Sequence, residues 1–297
     1  PEDNTAGTPW ANVAELVLQN LPSSFVILKN DIVNDGLEDM KPTLVARFGS
    51  ILFHQKRSAG TAVDGPLEEA ELRQQTKTFY TNITSSYMQN IVDEVVPNIG
   101  LHFESEKETY HVQLSDKTRP DSTLSCKCKL TNDNSLMLYK VKLNHVRQML
   151  YDFSCLDKDL DLRIMLSRKR TLICLSEDEL NSIRDLISAA VLDSNVKGGL
   201  RWPIGTSSGN RFSVVSVWHY RAKTYKNQSF RLEVMHADRF DCRLGIGQVT
   251  REVDLQLKKV VSLLQEGNAT DDTVAETLKD NIKMIWDNFL CCDKFLK

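Results

Sequence analysis

No stretch of this sequence approaches the roughly 20 consecutive apolar residues that a membrane-spanning helix needs. No leader with a basic start and an apolar middle opens it either. The expected location is therefore intracellular, cytoplasmic or nuclear, with no membrane. Residue 1 is Pro rather than Met, which reads as a fragment or processed form. The seven cysteines (Cys126, Cys128, Cys155, Cys174, Cys242, Cys291 and Cys292) are odd in number, include no C-x-x-C pair and lack a histidine-rich partner segment. A disulfide framework and a zinc site are both disfavoured, and reduced thiols are expected. The glycine strings at 207–210 and 245–247 are not followed by G-K-[ST], so neither is a P-loop. A G-x-S-x-G nucleophile elbow is also missing.

Acid is missing from one region. Residues 197–231 carry seven bases and no Asp or Glu, whereas acids outnumber bases in residues 1–118. Residues 119–170 are again basic, so the net charge of −3 hides an uneven distribution. Within 197–231 the bases alternate with Trp202, Phe212, Trp218, Tyr220, Tyr225 and Phe230. Bases can neutralise phosphates and aromatics can stack on nucleobases. The same aromatics at strand spacing can equally form core.

What remains is an ordinary globular composition, 41% hydrophobic and 26% charged. No repeat or linker divides the chain, which predicts a single domain over 1–297. Thr8-Pro9 reads as the start of a helix to about Leu21. Residues 67–95 have helical character, Ser176 with Glu179 forms a capping box, and a last helix covers about 273–290. Between them the hydrophobic period is two, predicting strands at 43–54, 101–114, 124–131, 136–143, 160–168, 171–175, 211–223, 228–236 and 249–258. The fold class is α+β. Its body at 41–260 is a mainly antiparallel barrel, tunnel or curved sheet, flanked by helices in 1–40 and at the C-terminus.

Residues i and i+2 of a strand share a face. Lys127 and Lys129 therefore lie opposite Cys126 and Cys128, and Arg163 lies opposite Leu162 and Ile164. Arg221 pairs with Lys223, Arg231 with Glu233, and Glu252 with Asp254. One reading is a sheet with a wet face and a core face. The other is a polar lumen in which Lys127, Lys129, Arg163, Arg221, Lys223 and Arg231 cradle an anion. In that reading Glu233, Glu252 and Asp254 offer carboxylate oxygens to a divalent metal. His236, Asp238 and Asp241 in HADRFD form either a polar turn cluster or an acid–base or metal pair.

These strands resemble the tunnel-fold triphosphatases, including fungal-type RNA triphosphatases. TLVARFGSILF (43–53) is similar to the family's first strand, and DLDLRIMLSRK (159–169) to its phosphate-binding arginine strand. YRAKTYKNQSFRLEVMHADRF (220–240) and REVDLQL (251–257) are similar to its late strands. The resemblance implies an E-x-E carboxylate pair where this chain has Thr43 and Val45, and a further carboxylate where it has Gln256. It therefore implies a scaffold without the chemistry, as in the Mediator head subunits that share the fold. KPTLVARFG and LRWP also resemble a plant family of uncharacterised proteins. The expected function is a non-catalytic interaction module for a protein complex partner, with no cofactor. The alternatives are an RNA- or polyphosphate-binding protein and a divergent triphosphatase using Mg or Mn.

Overall fold

The computed structural model describes residues 8–34, 41–54, 76–143, 146–168, 175–203, 211–267 and 270–291. Helix α1 spans Pro9–Asn34 and carries Pro22 in its interior. A proline there removes a backbone donor and would normally end a helix. Burial carries the helix past it: Val13, Val17, Leu21, Phe25, Leu28 and Ile32 form one buried stripe at helical spacing. The expected stop at Leu21 is thus overridden by packing. Strand β1 (Thr43–His54) follows, and then β2 (Thr76–Tyr80). A helix was expected over the second of these. Residues 67–75 of that expectation lie outside the described residues, and 76–80 instead extend along the edge of β1.

Helix α2 (Ser85–Asn90) continues through a π-helical turn at Ile91–Val95 into a short α3 (Val96–Asn98). Five strands come next: β3 (His102–Asp116), β4 (Arg119–Leu130), β5 (Leu136–Leu143), β6 (Val146–Phe153) and β7 (Asp161–Arg168). The capping box at Ser176 and Glu179 is present and opens α4 (Glu177–Ser188). A small hairpin, β8 (Val191–Leu192) and β9 (Leu200–Arg201), precedes β10 (Phe212–Lys226), β11 (Phe230–Asp241) and β12 (Ile246–Leu257). Helices α5 (Lys258–Glu266) and α6 (Asp271–Asn288) end the described chain. Most of the strand expected at 171–175 lies outside the described residues.

All long strands join one antiparallel sheet in the order β5-β4-β3-β10-β11-β12-β1-β7-β6, with β2 paired to β1. Strand β1 changes partner along one edge. It pairs with β12 at Val45–Arg47 and with β2 at Ser50–His54. Among the described residues no ladder joins β5 to β6, so the sheet is curved and open, not closed into a barrel. Yet Leu143 ends β5 and Val146 starts β6. Three Cα steps of about 3.8 Å hold these two ends within about 11 Å of each other.

The helices cover one face of this sheet. Leu44, Ala46, Phe48, Leu162, Ile164, Leu232, Val234, Val253 and Leu255 form a buried cluster with α1, α2, α5 and α6. Phe289 stacks on Phe48 with centroids 4.9 Å apart, and its carbonyl accepts from the Tyr87 hydroxyl at 2.6 Å. A second cluster packs Tyr110, Val112, Leu114, Cys126 and Val217 under Ile183 and Ile187 of α4. The register connects both clusters to the same face through Tyr110, His219 and Asp238. The opposite face is the polar one.

Candidate functional site

Directly paired residues of an antiparallel ladder project to the same side. One cross-strand row can therefore be followed over six strands of the polar face: Thr224, Glu233, Asp254, Arg47, Arg163 and Asp152. Its charges are paired. Arg47 donates from Nε and Nη2 to the two carboxylate oxygens of Asp254, both at 2.7 Å. Arg163 grips Asp152 in the same bidentate way at 2.6 and 2.8 Å, and its guanidinium lies 4.6 Å over the Phe79 ring. Burial works against the Arg47 charge. The hydrogen bonds and charge of Asp254, with Glu252 nearby, more than offset it and hold its pKa above the ordinary value.

Glycine makes room for Phe79. A Cβ on Gly49 would meet the Tyr80 carbonyl oxygen at 2.2 Å and Phe79 Cε1 at 2.9 Å. From there the chain runs beside β12, where Thr81 donates to Glu252 Oε1 at 3.0 Å and Ile83 N–H donates to the Arg251 carbonyl. Burial pushes the Glu252 carboxyl above its ordinary pKa, with the neighbouring Asp254 adding to the shift and Arg47 opposing it. The next row holds Arg231, Gln256, Val45 and Met165. Arg231 and Lys226 both reach Glu104, at 3.1 and 2.7 Å, and Arg231 also lies 3.6 Å from Glu233.

Further along the same face, Trp218 and Tyr220 stack in parallel with centroids 5.5 Å apart. Arg239 lies 4.6 Å over Trp218, and His111 packs against Tyr220 at 4.4 Å. Burial raises the Tyr220 hydroxyl pKa, and Glu252 adds to the shift. Among the described residues the buried Trp218 Nε1, Arg239 Nε and Thr250 Oγ1 atoms have no hydrogen-bond partner.

The six basic residues singled out from the sequence divide between two faces. Lys127, Lys129, Arg163 and Arg231 lie on the polar face, although β4 and β7 stand near opposite ends of the strand order. Arg221 and Lys223 lie on the helix-bearing face, in a gap between the two clusters, opposite Glu108 and Glu106 of β3. Glu108 itself reaches His219 Nε2 at 2.5 Å. His236, the register partner of Arg221 on β11, has its pKa lowered by burial and then by Arg221 and Arg251. Glu233, Glu252 and Asp254 all lie on the polar face. Arg47, Asp152 and Phe79 were not singled out. The alternation of Val45 with Arg47 could have flagged the first, but the pairing to Asp152 depends on register.

The fold is similar to that of a solved RNA triphosphatase. The structure of S. pombe Pct1 RNA triphosphatase superposes with a TM-score of 0.54 at 14% identity, covering 97% of this chain and 95% of that one. The same S. pombe protein in complex with the Spt5 CTD gives 0.54 and 14%, covering 93% and 91%. None of the curated proteins matches the sequence. Among the described residues no helix is long and apolar enough to cross a membrane. The family described as "Domain of unknown function (DUF7903)" matches residues 1–289, and the chain belongs to that family.

Proposed function

We propose that this chain is a tunnel-fold domain that binds a partner through its polar face and does not hydrolyse phosphoanhydrides there. The observation that carries this reading is the row through Val45 and Gln256, register partners on β1 and β12. These are positions where the family resemblance calls for metal-binding carboxylates. The neighbouring acids do not fit a divalent cation. Asp254 is committed to Arg47, Glu233 lies beside Arg231, and Glu252 accepts a hydrogen bond from Thr81. A divalent cation needs several ionised oxygens that are free to ligate it. The S. pombe neighbour solved with the Spt5 CTD supports a peptide as the class of partner. A second reading, binding of RNA or polyphosphate, draws on the Trp218–Tyr220 stack beside Arg239, since flat aromatic surface next to a guanidinium suits a nucleobase and its phosphate.

The test is phosphate release from triphosphate-ended RNA and from nucleotides with magnesium or manganese. No turnover above the protein-free control is expected. Turnover that disappears in Glu252→Ala would overturn the reading.

A further inference from the structure

The helix-bearing face holds a cavity of about 560 Å3 that no residue of the polar-face rows lines. It lies where the β8–β9 hairpin meets β10 and the β11–β12 turn. Its walls are Val196, Leu200, Trp202, Val214 and Phe240. Local chemistry builds it. Trp202 Nε1 donates to the Leu186 carbonyl of α4 at 2.8 Å, which fixes the indole as one wall. Gly198, at φ 77°, lets the hairpin settle on the sheet; a Cβ there would come within 3.1 Å of Phe240 Cβ and 3.3 Å of Val217 Cβ.

Gly247 does a related job opposite Phe240. A Cβ on it would meet Lys197 Cγ at 2.3 Å. The Lys197 stem therefore lies across Gly247, and Lys197 is an exposed residue of the lining. Among the described residues its ammonium makes no hydrogen bond or ion pair. Arg201, the other cation of the lining, donates to Asp193 at 3.0 Å. Among the described residues no Asp or Glu lines the cavity.

An apolar concavity within the roughly 300–1,000 Å3 of small-molecule sites, with a few placed polar groups, is the usual form of a ligand pocket. Here the placed group is a cation with no counter-charge among the described residues. We propose that this cavity binds a small amphipathic anion, an apolar chain or ring bearing one carboxylate. The carboxylate sits on Lys197 and the apolar body lies against Trp202, Val214 and Phe240. Concavity and size favour a free small molecule over a protein surface. Because the site is on the helix-bearing face, its test stands or falls independently of the polar-face reading.

Decanoate is the probe, titrated calorimetrically into the full chain below its aggregation concentration, with decanol as the uncharged match. Decanoate should bind saturably with one site and more tightly than decanol. Lys197→Met should weaken decanoate about tenfold or more, the loss expected for removing a charge-assisted contact, and should bring the two probes level. Bound decanoate should also slow maleimide labelling of Cys242, which lines the cavity and is exposed, as read by mass mapping of that residue. An unchanged melting temperature in Lys197→Met separates lost binding from lost folding. The proposal is overturned if decanoate does not saturate, if decanol binds as well, if Lys197→Met binds decanoate unchanged, or if Cys242 labelling is indifferent to the ligand. Binding of an acidic aromatic peptide at this cavity without binding of decanoate would overturn it too.

Discussion

Arg47 and Asp254 meet across the β1–β12 ladder in a two-pronged ion pair, both hydrogen bonds at 2.7 Å. Neither side chain is fully hidden, with relative exposures of 23% and 13%. The pair therefore has a one-sided energetic character. Desolvation offsets much of the attraction while it is intact, but removing one partner strands the other.

Asp254→Ala should therefore destabilise the protein by about 2–3 kcal/mol, somewhat less than a fully buried pair because solvent reaches this one. The double substitution Arg47→Met with Asp254→Leu should recover most of that loss. Urea unfolding of the three proteins measures both. Equal destabilisation in the single and double variants would show that the pair is not what holds this part of the ladder.

Gly49→Ala places a methyl group 2.2 Å from the Tyr80 carbonyl oxygen, a backbone atom that cannot simply rotate away. The β2 segment should be displaced, with a loss of about 1–3 kcal/mol, the range for overpacking. Phe79 would lose its position beneath Arg163. Faster amide exchange across Ile51–His54 is the local sign to look for, and an unaltered exchange pattern would contradict the account.

Two carboxylates give opposite pH signatures. Hydrogen bonds from Arg211, with further ones from Thr118, hold Asp116 down to about 2 despite its burial. A depressed folded pKa contributes stability that is present above the unfolded value and is lost as pH falls through the folded one. Asp116→Asn should therefore remove stability at neutral pH and flatten the fall in melting temperature between about pH 4 and pH 2. Glu252 is raised by burial. Its contribution is present below the unfolded pKa and is lost as pH rises through the folded one. Glu252→Gln should therefore raise the melting temperature at neutral pH and change it little at pH 4. A destabilised Glu252→Gln at pH 7 would mean that the attraction of Arg47 for the ionised group outweighs the cost of its burial.

The strands with clean alternation were legible. β11 and β12 follow from the apolar residues at every second position, and the capping box at Ser176 and Glu179 stands where the sequence puts it. β6 was not legible because the register shifts between Arg147 and Met149 and breaks its period. α5 was missed because it begins at Lys258 straight from β12, with no side-chain cap at Leu257. The faces of Lys127 and Lys129 could be read within one strand, but the relation of Arg221 to Arg163 could not. Alternation says which residues of one strand share a side; only the ladder says which side of the next strand that is.

The register of β1 also sets an order of events. Its partners β7 and β12 are remote in sequence, Arg47 pairing with Arg163 on one edge and Asp254 on the other. On a ribosome adding about 5–20 residues per second, the roughly 200 residues between Arg47 and Asp254 take on the order of 10–40 s to appear. Through that interval the Val45–Arg47 stretch of β1 lacks its β12 partner, and the apolar residues under α1 lack the α5 and α6 side of their cluster. The nascent chain thus carries an unpaired stretch of strand edge until β12 emerges, the kind of edge that invites pairing with another chain.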